Sequence, residues 1–212
     1  MKRWYYFALA AVAVAAIIYV YAHWGGQSLG SMFAADGKNA AGPPGRMRWH
    51  TLERPGDGFK VELPADEKDR QVPAFNEAGG TEPVRLLESS PTGDITYALA
   101  WEDNPHVARV NRTSEHTLNM ARDGMLARTE TTIISESRGF HRDYPALDIL
   151  ANNANGGVLN ARIVMVDRRL YTLMALYPNA ASRREKDVKR FFDSFVPEAS
   201  GGIPETMPSA SQ

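Results

Sequence analysis

The stretch Val158-Leu159-Asn160-Ala161-Arg162-Ile163-Val164-Met165-Val166, turned by Asp167-Arg168-Arg169 into Leu170-Tyr171-Thr172-Leu173-Met174-Ala175-Leu176-Tyr177, decides the fold. Leu159, Ala161, Ile163 and Met165 alternate with their neighbours, and so do Tyr171, Leu173, Ala175 and Tyr177. Apolar residues at period two, interrupted by a short polar turn, are the pattern of two antiparallel strands. Pro178, which has no amide hydrogen for a ladder, stops the second.

Working outward, Asn155-Gly156-Gly157 turns the chain into this pair from Ala146 to Ala151, where Leu147 and Ile149 share a face. Before that, Thr132 to Phe140 begins β-branched. These runs predict an antiparallel meander with one face buried. Further upstream, Val84 and Leu86 alternate, Pro91-Thr92-Gly93-Asp94 turns, and Ile95, Tyr97, Leu99 and Trp101 alternate again, which is a hairpin. Trp49 to Leu52 and Phe59 to Leu63 read as short strands, the second stopped by Pro64.

Two helices complete the pattern. Thr113 to Arg128 follows a capping Thr113 or Ser114 and sets Leu118, Ala121 and Met125 on one face, with Gly124 as an internal cost. Ser182-Arg183-Arg184-Glu185 has the form of a capping box. Val188, Phe191, Phe192 and Phe195 then recur at helical spacing as a single apolar stripe, the hallmark of a helix lying on a sheet.

The flanks differ in kind. Lys2 and Arg3 precede an uncharged apolar run of 19 residues, Trp4 to Ala22. As a helix it is roughly 28 Å long, enough to cross bilayer hydrocarbon. Trp4 and Tyr5 at one end, and Tyr21 and Trp24 at the other, sit where amphipathic rings favour the membrane interface. The basic residues precede the run, so the expected topology is a cytoplasmic N-terminus and a periplasmic domain on a bacterial inner membrane. A cleaved signal peptide is the alternative, with Val20-Tyr21-Ala22 as its cleavage site. The chain has no cysteine, which excludes a lipid-modified cysteine, disulfides and thiolate metal sites. The expected organisation is an anchor over 1–24, a Gly-, Ala- and Pro-rich flexible linker over 25–47, a domain over 48–197 and a disordered tail over 198–212. The fold class is α+β: an antiparallel sheet meander packed with two helices, preceded by one transmembrane helix.

Four features carry a resemblance. They are Trp49 with Phe59-Lys60-Val61-Glu62-Leu63-Pro64, a corner running from Gly139 to Tyr144-Pro145, the strand Arg169-Leu170-Tyr171-Thr172-Leu173, and the ending Arg190-Phe191-Phe192-Asp193-Ser194-Phe195. Together they resemble the PsbP/Mog-type superfamily over about Arg48 to Pro197. That resemblance implies a non-enzymatic domain that binds a partner, and it brings no catalytic residues with it.

Charge and motif content agree with a binding role. Without Lys2 and Arg3 the chain carries 22 of its 24 basic residues against 25 acidic ones, so it lacks the electrostatic footprint of a nucleic-acid binder. The basic residues from Arg162 to Arg190 read as solvated faces of a strand and a helix. No Gly-x-Ser-x-Gly elbow, zinc-helix histidine pair or phosphate loop is present, so no catalytic, cofactor or metal residue is assigned. The candidate partner contacts are Phe140, His141, Arg142 and Tyr144, because aromatics beside arginine are enriched at interface hot spots. The favoured reading of that corner is plainer: Phe140 and Tyr144 face the core and the charges are solvated. The expectation is an accessory module of a membrane protein complex, held by its N-terminal helix in the lipid bilayer and contacting another membrane protein. The rivals are a periplasmic hydrolase with a non-sequential site, marked by a deep pocket gathering His106, His141 or a Ser with carboxylates, and a small-ligand carrier, marked by an apolar cavity between sheet and helices.

Overall fold

In the computed structural model the described residues are 47–64, 66–75, 81–91, 95–103 and 113–198. The predicted anchor, linker and distal tail lie outside them, and among the described residues no helix is long and apolar enough to cross a membrane.

The elements run in the predicted order with two added strands, Lys68–Phe75 and Val196–Pro197. Strands β1 (Trp49–Arg54) and β2 (Phe59–Pro64) precede β3 (Lys68–Phe75), β4 (Thr81–Ser89) and β5 (Thr96–Asp103). Helix α1 (Ser114–Thr129) follows, then β6 (Thr131–His141), β7 (Tyr144–Asn153), β8 (Val158–Val166) and β9 (Arg169–Tyr177). Helix α2 (Glu185–Ser194) and the short β10 (Val196–Pro197) close the chain. Strand β3 was not expected from the sequence. Its residues KDRQVPAF include Pro73 and three charges, and that composition fits an edge position, which β3 occupies.

The main sheet has seven antiparallel strands in the order β3-β4-β5-β9-β8-β7-β6, and a second sheet has three in the order β1-β2-β10. The predicted meander is β6-β7-β8-β9, and the predicted hairpin is β4-β5, extended by β3 and joined to the meander where β9 pairs with β5. Helix α1 crosses between them over one face. There Leu118, Ala121 and Met125 pack on Leu147, Ile149, Leu159, Ala161, Ile163 and Met165. On the other face lie α2 and the small sheet. Phe59, Val61 and Leu63 from β2 meet Val188, Phe191, Phe192 and Phe195 over Tyr97, Leu99, Trp101, Tyr171 and Leu173.

A buried single face was expected, but the central strands are buried on both. In β5 the alternate residues Ala98 and Ala100 are as enclosed as Leu99 and Trp101, and β8 and β9 repeat this. The cause is the second cover: α1 takes the aliphatic set and α2 with the small sheet takes the aromatic set.

Helix starts follow local chemistry. Thr113 caps α1, its Oγ1 accepting from the His116 amide at 3.2 Å. The capping box expected at Ser182–Glu185 does not form. Asn179 instead caps a 3-10 turn over Ala180–Ser182, its Oδ1 accepting from the Ser182 amide at 3.0 Å. Helix α2 then begins at Glu185 after Arg184, which makes no side-chain cap. Two overlapping starts competed for one stretch of backbone, and the nearer Asn cap took Ser182.

The small sheet is pinned to the large one at a glycine. Gly58 has φ 69°, and a Cβ there would meet Arg169 Nη1 at 3.1 Å, the Tyr171 hydroxyl at 3.1 Å and the Glu198 carbonyl at 3.2 Å. That space lets Arg169 Nη1 and the Tyr171 hydroxyl donate to the Asp57 carbonyl at 2.6 and 2.9 Å. The Glu198 amide donates to the Gly58 carbonyl at 2.8 Å, closing the end of the domain onto its beginning.

Candidate functional site

Two neighbouring features of the β6 end of the sheet define the site. The first is a groove of about 420 Å³ between α2 and the face of β6, β7 and β8. Period-two alternation places Ser135, Ser137, Asp148, Asn160 and Arg162 on this face, all lining the groove, and α2 adds Lys189, Phe192 and Asp193.

Arg162 is the hub. Its Nε and Nη2 donate to the two Asp148 carboxylate oxygens at 2.7 and 2.9 Å, a bidentate pair across adjacent strands. Its Nη1 reaches Asp193 at 3.4 Å, and Lys189 holds Asp193 from one helical turn away at 2.5 Å. The guanidinium also lies 5.3 Å from the centre of the Phe192 ring. Burial alone would lower the Arg162 pKa, but hydrogen bonding and charge from Asp148 and Asp193 more than reverse this. For Asp193, burial pulls upward and is outweighed by Lys189 and Arg162, which hold the carboxyl below its ordinary range. Arg162 was expected on a solvated face. With its side chain 18% exposed it is instead an enclosed ion-pair centre.

The second feature is the β6–β7 hairpin, whose tip carries the four predicted contact residues. His141 and Tyr144 pair across it, with Arg142 and Asp143 as the turn and Arg142 at φ 55°. His141 is buried, not solvated. Its Nε2 donates to the Phe195 carbonyl at 2.7 Å, which leaves Nδ1 to accept from Arg162 Nη1 at 3.3 Å. Burial is the main force lowering its pKa, the Phe195 carbonyl opposes, and Arg162 and Arg142 add to the lowering. Arg142 Nε donates to the same carbonyl at 3.3 Å. These two residues therefore latch the hairpin to the end of α2. Tyr144 packs half-buried against the aromatic core.

Phe140 departs from the favoured reading: it does not face the core, and 75% of it is exposed. Its neighbour in register is Pro145, two residues before Leu147 of the α1 face. Ile134 (56%) and Ile133 (37%) are the other large apolar residues exposed among the described ones, and all three belong to β6. Strand β6 is also an edge of the seven-stranded sheet. Ile133 and Ile134 belong to the strand predicted over Thr132 to Phe140, in which nothing local marks them as exposed. Their exposure goes with β6 being the edge of the sheet and with the register shift between Ile133 and Ser135, at which Ile134 is the extra residue.

Among the described residues no histidine lines the groove: His141 is outside its lining with both ring nitrogens engaged, and Ser135 and Ser137 share that lining with Glu136 and Asp148. His50 sits elsewhere, 3.2 Å from Glu67, and His116 starts α1. His106 lies outside the described residues.

No family model matches the sequence, and no curated protein matches it. The fold is similar to the solution structure of the cyanobacterial PsbP protein CyanoP from Synechocystis. The TM-score is 0.50 at 13% identity, covering 76% of this chain and 99% of that one. A Pseudomonas aeruginosa protein of unknown function aligns at TM-score 0.43 and 10% identity, covering 71% of this chain and 98% of that one. The chain thus has the PsbP-like α/β fold.

Proposed function

We propose that this chain is a non-catalytic accessory module that works by binding. Its first 24 residues anchor it to a bacterial inner membrane, its domain faces the periplasm, and strand β6 with the hairpin tip is its docking surface. The carrying observation is that Ile133, Ile134 and Phe140, the large apolar residues exposed among the described ones, all lie on one open sheet edge. Exposed apolar side chains beside unpaired backbone groups are the components of strand addition. The groove supports the same reading, because its charges are spent on one another and serve to fix the hairpin that carries the edge. The PsbP-like fold is compatible with an accessory role.

The anchor completes the mechanism. A linker of about 23 residues has a coil reach of roughly 25–30 Å, which confines the domain near the membrane surface and raises its effective concentration there. The test is a native gel of the full chain, tagged at its C-terminus and extracted in mild detergent, with mass spectrometry of the bands. Migration in a defined assembly that is lost in Phe140→Glu is expected. Migration of the natural chain as a single copy in detergent would overturn the reading.

A further inference from the structure

We propose that the strand filling the β6 edge is β6 of a second copy of this chain, the two running antiparallel about a twofold axis at Ser137. This rests on the reading of β6 as a docking surface and commits it to one occupant. The segment Ile134-Ser135-Glu136-Ser137-Arg138-Gly139-Phe140 is self-complementary about its centre. In antiparallel register around Ser137, Glu136 faces Arg138 of the second copy and Ile134 faces Phe140. Ser135 faces Gly139, and Ser137 faces itself. Opposite charges and apolar pairs directly across a ladder are the stabilising kind.

The backbone puts these residues where such pairing needs them. Glu136, Arg138 and Phe140 oppose Ile149, Leu147 and Pro145, so they share the α1 face, while Ser135, Ser137 and Gly139 share the other. Every residue from Thr132 to Phe140 is exposed. Glu136 and Arg138 already meet within the chain at 3.1 Å and are positioned by Arg122, Asn119 and Glu115 from α1. Two such pairs brought together make a four-charge alternating cluster. Ile134 is the extra residue at the register shift between Ile133 and Ser135, so the segment opens on a bulge, and the Arg142-Asp143 turn bounds its other end.

Symmetry selects the register. Edge pairing of identical antiparallel strands places the twofold axis perpendicular to the sheet, so paired residues lie on the same face and the axis passes through a residue position. Centring on Glu136 sets glutamate against glutamate and Ile134 against Arg138. Centring on Arg138 sets arginine against arginine and Glu136 against Phe140. Ser137 is the centre that matches charge with charge and apolar with apolar. The same axis keeps both small sheets, with the Met47 and Trp49 ends of the chain, on one side of the joined fourteen-stranded sheet. Both linkers then lead to one membrane.

The chain has no cysteine, so a single one reports the contact cleanly. In the full chain, in its membrane and in mild detergent, Ser137→Cys should form a disulfide dimer under mild oxidation. Gln71→Cys, on the opposite sheet edge β3, should not. Ile134→Lys and Phe140→Glu should each weaken self-association by about tenfold, because two cross-strand pairs per dimer change. Mixed together, the two variants should pair preferentially with each other, since the lysine introduced in one copy then faces the glutamate introduced in the other. Thermal melts check that each variant folds.

A monomeric Ser137→Cys chain, or no preference for the mixed dimer, overturns self-pairing. If the natural chain then still migrates in a larger assembly that Phe140→Glu abolishes, β6 docks a different protein and the docking reading survives. If the assembly ignores Phe140→Glu, the docking reading falls with it.

Discussion

The two faces of the seven-stranded sheet are covered by different means. On one, a single helix lies over alanine, leucine and methionine: Ala98, Ala100, Ala151 and Ala161 leave room for α1, whose Met125 and Leu118 fill it. On the other, aromatic rings from distant parts of the chain interlock. Phe59 meets Trp101 edge-on at 5.0 Å and Tyr171 at 5.9 Å, Tyr171 meets Phe195 at 5.0 Å, and Tyr97 meets Phe191 at 5.6 Å. The first face is a local cover that one helix can supply. The second exists only when β2, β5, β9 and α2 are all in place, so it couples both ends of the domain to its middle.

The largest effect should come from breaking that coupling. Phe195 is fully buried and touches Phe59, Tyr171 and His141. Phe195→Ala is expected to destabilise by about 3–5 kcal/mol, read as a shift in urea midpoint with unchanged slope. Met125→Ala under α1 is expected to cost less, about 2–3 kcal/mol, since a flexible side chain between alanines leaves a cavity that neighbours can partly fill. Equal losses would show that the aromatic face has no coupling beyond its buried area.

The same contrast explains what the sequence made legible. The Val188–Phe195 stripe and the alternations of β8 and β9 are period signals within one element, and the structure keeps them. Nothing periodic says which partner an element takes. That β9 pairs with β5 as well as β8, joining hairpin and meander in one sheet, depends on closing a long connection through α1, and so does the placing of β6 at the edge. Arg162 was visible as a polar interruption in an apolar strand, but its partners Asp148 and Asp193 come from a neighbouring strand and the last helix. Strand β3 was hidden because an edge strand tolerates proline and charge.

His141 gives the next test, on the rim of the aromatic face. Its imidazole is held neutral in the fold, with a pKa below the ordinary 6.5 mainly because of burial. The unfolded chain therefore binds more protons as the pH drops below about 6.5, and the stability contributed by neutral His141 is lost progressively through the lowered folded value. Denaturant midpoints measured from pH 7.5 to 5 should fall, and His141→Gln should flatten that fall. The Asp193 carboxyl acts in a separate window: its lowered pKa contributes stability that disappears only as the pH falls below its ordinary 3.8. A slope unchanged by His141→Gln would mean that the latch to Phe195 is not the titrating element.

The smallest effects distinguish the two helix starts, and they test why one sequence signal held and the other did not. Thr113 makes its cap bond to the His116 amide, so Thr113→Ala should cost about 1 kcal/mol. Ser182 has the better motif on paper, with Glu185 three residues on, yet its amide and hydroxyl both turn to Asn179 Oδ1, at 3.0 and 3.2 Å. Ser182→Ala removes only an exposed hydroxyl contact and should change stability by less than about 0.5 kcal/mol. Asn179→Ala removes the acceptor of both bonds and should exceed it, toward the loss expected for a cap. If Ser182→Ala instead matched Thr113→Ala, Ser182 would be capping α2 in solution. The aromatic face would then gain a helix two residues longer at its open end.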